Sequence, residues 1–156
     1  VGLQFAPDFL GRLFGHENAV NAEAASSVDL CVVPKPALEQ LIAETPALEH
    51  RLMQQTLREL DEARDWMVTL GRKSAAEKVA SFLLLIATHA DPSRQDGQPA
   101  SFELPLTRGD IADFLGLTIE TVSRQLTALK TRGVIRLTGL RQVDVPDVER
   151  LRVIAG

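Results

Sequence analysis

The stretch LTIETVSRQL, residues 117–126, sets Glu120, Ser123 and Arg124 within an arc of about 100° on a helical wheel. Glu120 and Arg124 are also four residues apart, the spacing of a surface ion pair worth about 0.3–0.5 kcal/mol. The same three groups have a second chemistry. A guanidinium donates in a fork to O6 and N7 of guanine, a carboxylate accepts from N4 of cytosine, and a serine hydroxyl reaches a thymine or a phosphate. An acid on a face that meets phosphates would repel backbone and reward a cytosine donor. Whether the pair only stabilises its helix or belongs to a reading face depends on the elements around it, and the two uses are compatible.

Those elements follow a definite grammar. Thr107, with Asp110 three residues on, caps a first helix whose apolar face is Ile111, Phe114 and Leu115, with the small Ala112 where a second helix must cross closely. Leu115-Gly116-Leu117 reads as a tight turn with glycine in the left-handed region. Thr118 caps the second helix, which carries Ile119, Val122, Leu126 and Leu129 on one side and Glu120, Ser123, Arg124, Thr127 and Thr131 on the other. Gly133 ends it, and two alternating strands joined at Thr138-Gly139 follow. Helix, glycine turn, helix and hairpin predict a winged helix-turn-helix, whose second helix enters the major groove by its first turns. Arg108, Thr118 and Thr121 stand at helix N-termini as candidate phosphate anchors, with plain capping as the other use of the threonines. Arg141, at the hairpin, is either a wing contact or a solvated surface arginine.

Before this region, Thr45-Pro46 opens a long helix to about Leu70. Met53, Thr56, Leu60, Ala63, Met67 and Leu70 recur along it at spacings of 3 and 4, a heptad seam suited to a parallel dimer or to the core face of a bundle. A second apolar row, Leu48, Leu52 and Trp66, is placed to face its own domain. Gly71-Arg72-Lys73 is expected to break the helix, and Ser74 with Glu77 forms a capping box that starts the next. Its expected buried stripe is Val79, Ala80, Leu83, Ile86, Ala87 and Ala90. Residues 91–100 form a polar loop, and SFELPL a short strand with Phe102 and Leu104 on one face. Upstream, Gly2–Phe5 and Val28–Val33 read as short strands, and Pro36 as the first residue of a short helix to about Glu44. Such strands cannot close a sheet of their own, so the chain reads as a piece of something longer.

Composition bounds the remaining classes. The chain has 156 residues, 45% of them apolar and 24% charged, with no apolar run near the roughly 20 residues that span a bilayer. No membrane role and no secretory leader is indicated. One cysteine excludes an internal disulfide framework and fits a reducing, cytoplasmic compartment. The net charge is −4, yet between Leu104 and Val143 Arg108, Arg124, Lys130, Arg132, Arg136 and Arg141 face only Asp110, Asp113 and Glu120, a local +3. An enzyme is not indicated: His16, His50 and His89 are scattered, HENAV lacks the second histidine of a zinc-protease motif, and no glycine-rich phosphate loop occurs. The rival reading is a winged helix that binds protein without sequence-specific DNA readout.

At TRGDIADFLGLTIETVSRQL and LGRKSAAEKVASFL the chain resembles the CRP/FNR superfamily of bacterial transcription regulators, on its FNR and FixK side, and the likeness runs from about Val28 to Val145. Its recognition-helix pattern Glu-x-x-Ser-Arg is matched by Glu120, Ser123 and Arg124. The resemblance implies a homodimer on a TTGAT…ATCAA-type palindrome, touching RNA polymerase to activate or block transcription. It also implies three parts: residues 1–44 as the end of a sensory β-barrel, 45–72 as the dimerisation helix and 73–156 as the DNA-binding domain. The fold is then mainly α with a small β component. Gln125 departs from the pattern, which usually has an apolar residue there. Cys31, in VDLCVVPKPALEQL, is by itself a small buried hydrophobe. In FNR-type relatives a cysteine here joins three others to hold an oxygen-labile [4Fe–4S] cluster, which FixK-type relatives lack. Four thiolates are needed and this chain has one, so no cofactor is expected in the chain alone, and Cys31 would be a ligand only in a longer, oxygen-responsive parent.

Overall fold

Ser74 and Thr107 act as the sequence predicts, and each opens a helix. The computed structural model describes residues 2–11, 21–91, 93–95 and 97–156, and these carry α1 (Lys35–Glu44), α2 (Pro46–Arg72), α3 (Ala75–Ala90), β1 (Ala100–Glu103), α4 (Arg108–Leu115), α5 (Ile119–Thr131), β2 (Arg136–Thr138), β3 (Gln142–Val145) and α6 (Val148–Ala155). They divide into two compact units, Leu3–Asp65 and Trp66–Gly156, the latter together with Gly2. His16 lies outside the described residues, as do Pro92 and Asp96 of the polar loop.

In the first unit the expected strands at Gly2–Phe5 and Val28–Val33 are not formed. Both segments are coil, and Val28, Leu30 and Val32 stand 55%, 63% and 84% exposed. The alternation is real, but a strand exists only where a neighbour completes its ladder, and none of the described residues supplies one. Cys31 is exposed as well, so it is not the buried hydrophobe its apolar neighbours suggested. Helix α1 starts one residue before Pro36, and Thr45 closes it by donating its N–H to the Ile42 carbonyl at 3.3 Å. The Thr45 carbonyl then accepts from Leu48 N–H at 2.8 Å as α2 begins. Helix α2 runs through Gly71 to Arg72, past the expected break. A single glycine costs a helix only about 1 kcal/mol, and the capping box at Ser74 sets the stop instead.

The second unit holds the core. Helix α3 buries Val79, Phe82, Leu83 and Ile86 against α5, α6 and β1, while Ala90, expected in the same stripe, is exposed because it is the last residue of the helix. The three strands form an antiparallel sheet in the order β1-β3-β2, with Phe102 opposite Val143 and Val143 opposite Leu137 on its inner face. Phe102 and Leu104 are buried as their alternation requires. The hairpin turn occupies Gly139–Arg141, with Gly139 at φ +62°, one residue further along than the Thr138-Gly139 junction. Helix α6 is absent from the sequence reading, although its signals are present. Asp147 accepts from Arg150 N–H at 3.0 Å as N-cap, and Val148, Leu151 and Ala155 recur at 3 and 4 and are buried.

Two predictions follow the packing and the caps. Leu151→Ala removes a side chain with no exposure and should cost about 2–5 kcal/mol in urea unfolding, while Val153→Ala, at an 81% exposed position, should stay within about 0.5 kcal/mol. The hydroxyl and then the N–H of Ser74 hold the Glu77 carboxyl below its ordinary value, and those of Thr107 do the same for Asp110. A carboxylate lowered in the folded state stabilises the fold above its unfolded pKa, and that stabilisation is lost as pH falls through the folded value. The urea midpoint should therefore drop on acidification below about pH 4. Glu77→Gln with Asp110→Asn should flatten that acid limb, and an unchanged limb would refute the assignment.

Candidate nucleic-acid interface

Helix α4 begins at a reciprocal cap. Thr107 Oγ1 donates to Asp110 Oδ2 at 2.6 Å, Thr107 N–H donates to the same oxygen at 3.0 Å, and Asp110 N–H donates back to Thr107 Oγ1 at 3.2 Å. The helix ends at Gly116, φ +62°, where Leu117 N–H reaches the Ala112 carbonyl at 2.9 Å. That left-handed residue turns the chain within two residues, and a side chain there would be strained. Thr118 then caps α5, its Oγ1 accepting from Thr121 N–H at 3.2 Å. At the far end Gly133, φ +66°, and Val134 donate to the carbonyls of Lys130 and Leu129 at 2.9 and 3.0 Å. This paired closure stops α5 in register with the hairpin.

Between those ends α5 divides cleanly. Val122, Leu126 and Leu129 are buried, while Glu120, Arg124, Thr127 and Thr131 are exposed and Ser123 and Thr121 half-buried. Ile119 departs from the wheel reading. It is 53% exposed, because the first turn of α5 projects past the core and Ile119 lies instead beside Gly109. Gln125 is half-buried, at the edge of the apolar face.

The Glu120–Arg124 ion pair is not formed. Among the described residues the ion pairs are Lys35–Glu39, Asp61–Arg64 and Glu149–Arg152. Glu120 turns back toward its own helix N-terminus, where its backbone N–H and then the Thr118 hydroxyl hold its carboxyl below the ordinary range. The positive end of the helix dipole favours an acid at this position, so a local cause for Glu120 exists beside any reading role. Arg124 is left exposed, with its fork directed away from the buried face. Thr127 and Thr131 spend their hydroxyls on the Ser123 and Thr127 carbonyls, at 2.9 and 3.0 Å.

Arg108, half-buried, is the first residue of α4, Thr118 and Thr121 stand at the start of α5, and Arg141 lies exposed in the hairpin turn. Arg141 is near enough to α4 that its charge helps lower Asp110, after the larger effect of Thr107. Lys78 was not foreseen: from α3 its Nζ donates to the Leu115 carbonyl at 3.4 Å, satisfying a helix-end oxygen at the turn. Its sequence offers no signal, because the partner lies 37 residues away.

Of the seam on α2, Met53, Leu60, Met67 and Leu70 are 59%, 45%, 73% and 38% exposed, and Thr56 and Ala63 are exposed too. Leu48, Leu52 and Trp66 of the second row are half-buried. No group of three or more His, Cys, Asp or Glu suited to a metal occurs among the described residues, and none of their helices is long and apolar enough to cross a membrane.

Comparison with known proteins agrees with this geometry. The Crp-like helix-turn-helix domain matches residues 77–154. A protein of Rhizobium leguminosarum bv. viciae named "Probable transcriptional activator" is 57% identical over 97% of the chain and 62% of its own length. The transcriptional activator protein FnrL of Cereibacter sphaeroides is 46% identical over 100% of the chain and 64% of its own length. The structure of FixK2 from Bradyrhizobium japonicum superposes with a TM-score of 0.68 at 37% identity, covering 80% of this chain and 60% of that one. The chain thus spans less than two thirds of each of these relatives, and the first two are named as transcriptional activators, not as enzymes. With its capped helices, glycine turn and three-stranded wing, the chain belongs to the CRP/FNR family and carries that family's winged helix-turn-helix domain.

Proposed function

We propose that the chain is the pairing and DNA-reading part of a cytoplasmic transcription regulator, acting as a homodimer on a TTGAT…ATCAA-type palindrome. The observation that carries this is the division of α5, whose apolar side is buried while Glu120, Ser123 and Arg124 issue from its first two turns. In the major groove Arg124 would donate to a guanine, Glu120 would accept from a cytosine, and Ser123 would meet a thymine or a phosphate. Arg108, Thr118, Thr121 and Arg141 would hold phosphates on either side, fixing register without reading sequence. Pairing through Met53, Thr56, Leu60, Ala63, Met67 and Leu70 would cover apolar side chains that are otherwise exposed.

The larger protein's properties extend the same reading. Residues 1–44 would complete a sensory β-barrel, whose neighbouring strands would supply the ladder that Val28–Val33 lacks here. Contact with RNA polymerase would follow from the activator role named for the relatives. An oxygen-responsive [4Fe–4S] cluster does not fit this chain alone, since Cys31 is its one thiol and no metal-binding group accompanies it among the described residues. Cys31 would serve as one ligand only where a longer parent brings three more.

Fluorescence anisotropy at ~150 mM salt tests the readout. The palindrome should be preferred over a scrambled duplex by at least about tenfold, or about 1.4 kcal/mol. Glu120→Ala and Arg124→Ala should each abolish that preference. Equal binding to both duplexes would favour a protein-interaction module instead. In sedimentation, Leu60→Lys should convert a dimer to a monomer, and a dimer that survives it would rule out the seam.

A further inference from the structure

Trp66 is the only tryptophan of the chain, and it lies half-buried two turns before the end of α2. Its indole meets the Phe114 ring edge-on, with centroids 4.9 Å apart and planes at 66°. Phe114, 8% exposed on the first helix of the helix-turn-helix, meets Phe82 of α3 at 5.9 Å and 59°. Both pairs fall within the favourable range for aromatic contacts. One cluster therefore joins α2, α4 and α3.

The same side of α2 continues inward. Thr69, three residues on, is 6% exposed, and Lys73, four further, donates its Nζ to the Ala155 carbonyl at 2.6 Å and to Ser81 Oγ at 3.1 Å. Met67 and Leu70 stand in these turns with their side chains 73% and 38% exposed. The last seam residues and the reading helix thus belong to one compact unit, Trp66–Gly156. The aromatic contact of Trp66 ties the last two turns of α2 to the first helix of the motif.

We infer that Trp66 is a positioning residue that fixes the bearing of α5 relative to the last seam residues, Met67 and Leu70, within their common unit, and so sets the half-site spacing that the dimer accepts. The inference rests on the DNA-reading dimer proposed above. Inserting one base pair between half-sites moves one of them by about 3.4 Å and about a tenth of a turn. Two reading helices held at a fixed bearing reject that change. Helices free to tilt about a cavity at position 66 accept it.

The test is anisotropy with the 156-residue chain on duplexes whose TTGAT and ATCAA half-sites are three, four or five base pairs apart, with one single half-site duplex and one scrambled duplex. Unsubstituted protein should prefer one spacing by about tenfold. Trp66→Ala should bind the single half-site within about twofold of that protein, yet prefer its spacing by less than about threefold. Trp66→Phe should restore the preference. Phe114→Leu, which keeps the tryptophan, should flatten it too and shift Trp66 emission to the red, and it carries the comparison if circular dichroism shows Trp66→Ala unfolded. A uniform loss at all spacings with the preference intact would overturn the inference and leave Trp66 a core residue. Failure of the unsubstituted protein to distinguish the palindrome from the scrambled duplex would instead overturn the DNA-reading function itself, and the inference with it.

Discussion

Every outward-facing group of the candidate interface depends on three side chains that face inward. Val122, Leu126 and Leu129 are at most 3% exposed, and their burial against the rest of the unit sets the rotation of α5 about its axis. A helix turned by one residue, about 100°, would bury Arg124 or carry Glu120 off the exposed side. The exposed face of α5 thus has no independent existence. It is what remains when the apolar face has been satisfied, and its precision is that of the core beneath it.

The turns convert that rotation into a position in space. Gly116 and Gly133 both adopt the left-handed conformation, and each lets the N–H groups beyond it reach back to the last carbonyls of the helix. Between them α5 has a fixed start, a fixed length and a fixed exit into β2. The sheet then returns the chain so that Arg141 lies near Asp110 at the head of α4, and the Arg141 carbonyl accepts from Leu104 N–H at 2.9 Å. That backbone hydrogen bond joins the wing turn to the residue that follows β1. No ion pair of the described residues takes part in it.

Glu120 shows how a helix end can outweigh side-chain spacing. Its distance in sequence from Arg124 invites an ion pair, yet none forms, and the carboxyl is held below its ordinary range by its own backbone N–H first and then by the Thr118 hydroxyl. A negative charge is favoured in the first turn of a helix, whereas an exposed pair must order two long side chains for little gain.

Local patterns determined much of this protein on their own. The capping boxes at Ser74 and Thr107, the glycine turn, the two faces of α5 and the alternating strands are decided by neighbours a few residues apart, and the sequence displays such neighbours directly. Tertiary structure decided the rest. The strands expected at Gly2–Phe5 and Val28–Val33 are coil because a strand is a property of its pairing partner. Ile119 is exposed because a helix end can outrun the core that its wheel predicts, and α2 passes Gly71 because one glycine does not outweigh the turns on either side. The strand order β1-β3-β2, the Lys78 contact and the meeting of Trp66 with Phe114 join residues far apart in sequence. Spacing cannot announce them, because their partners are chosen by how the packed elements come to rest.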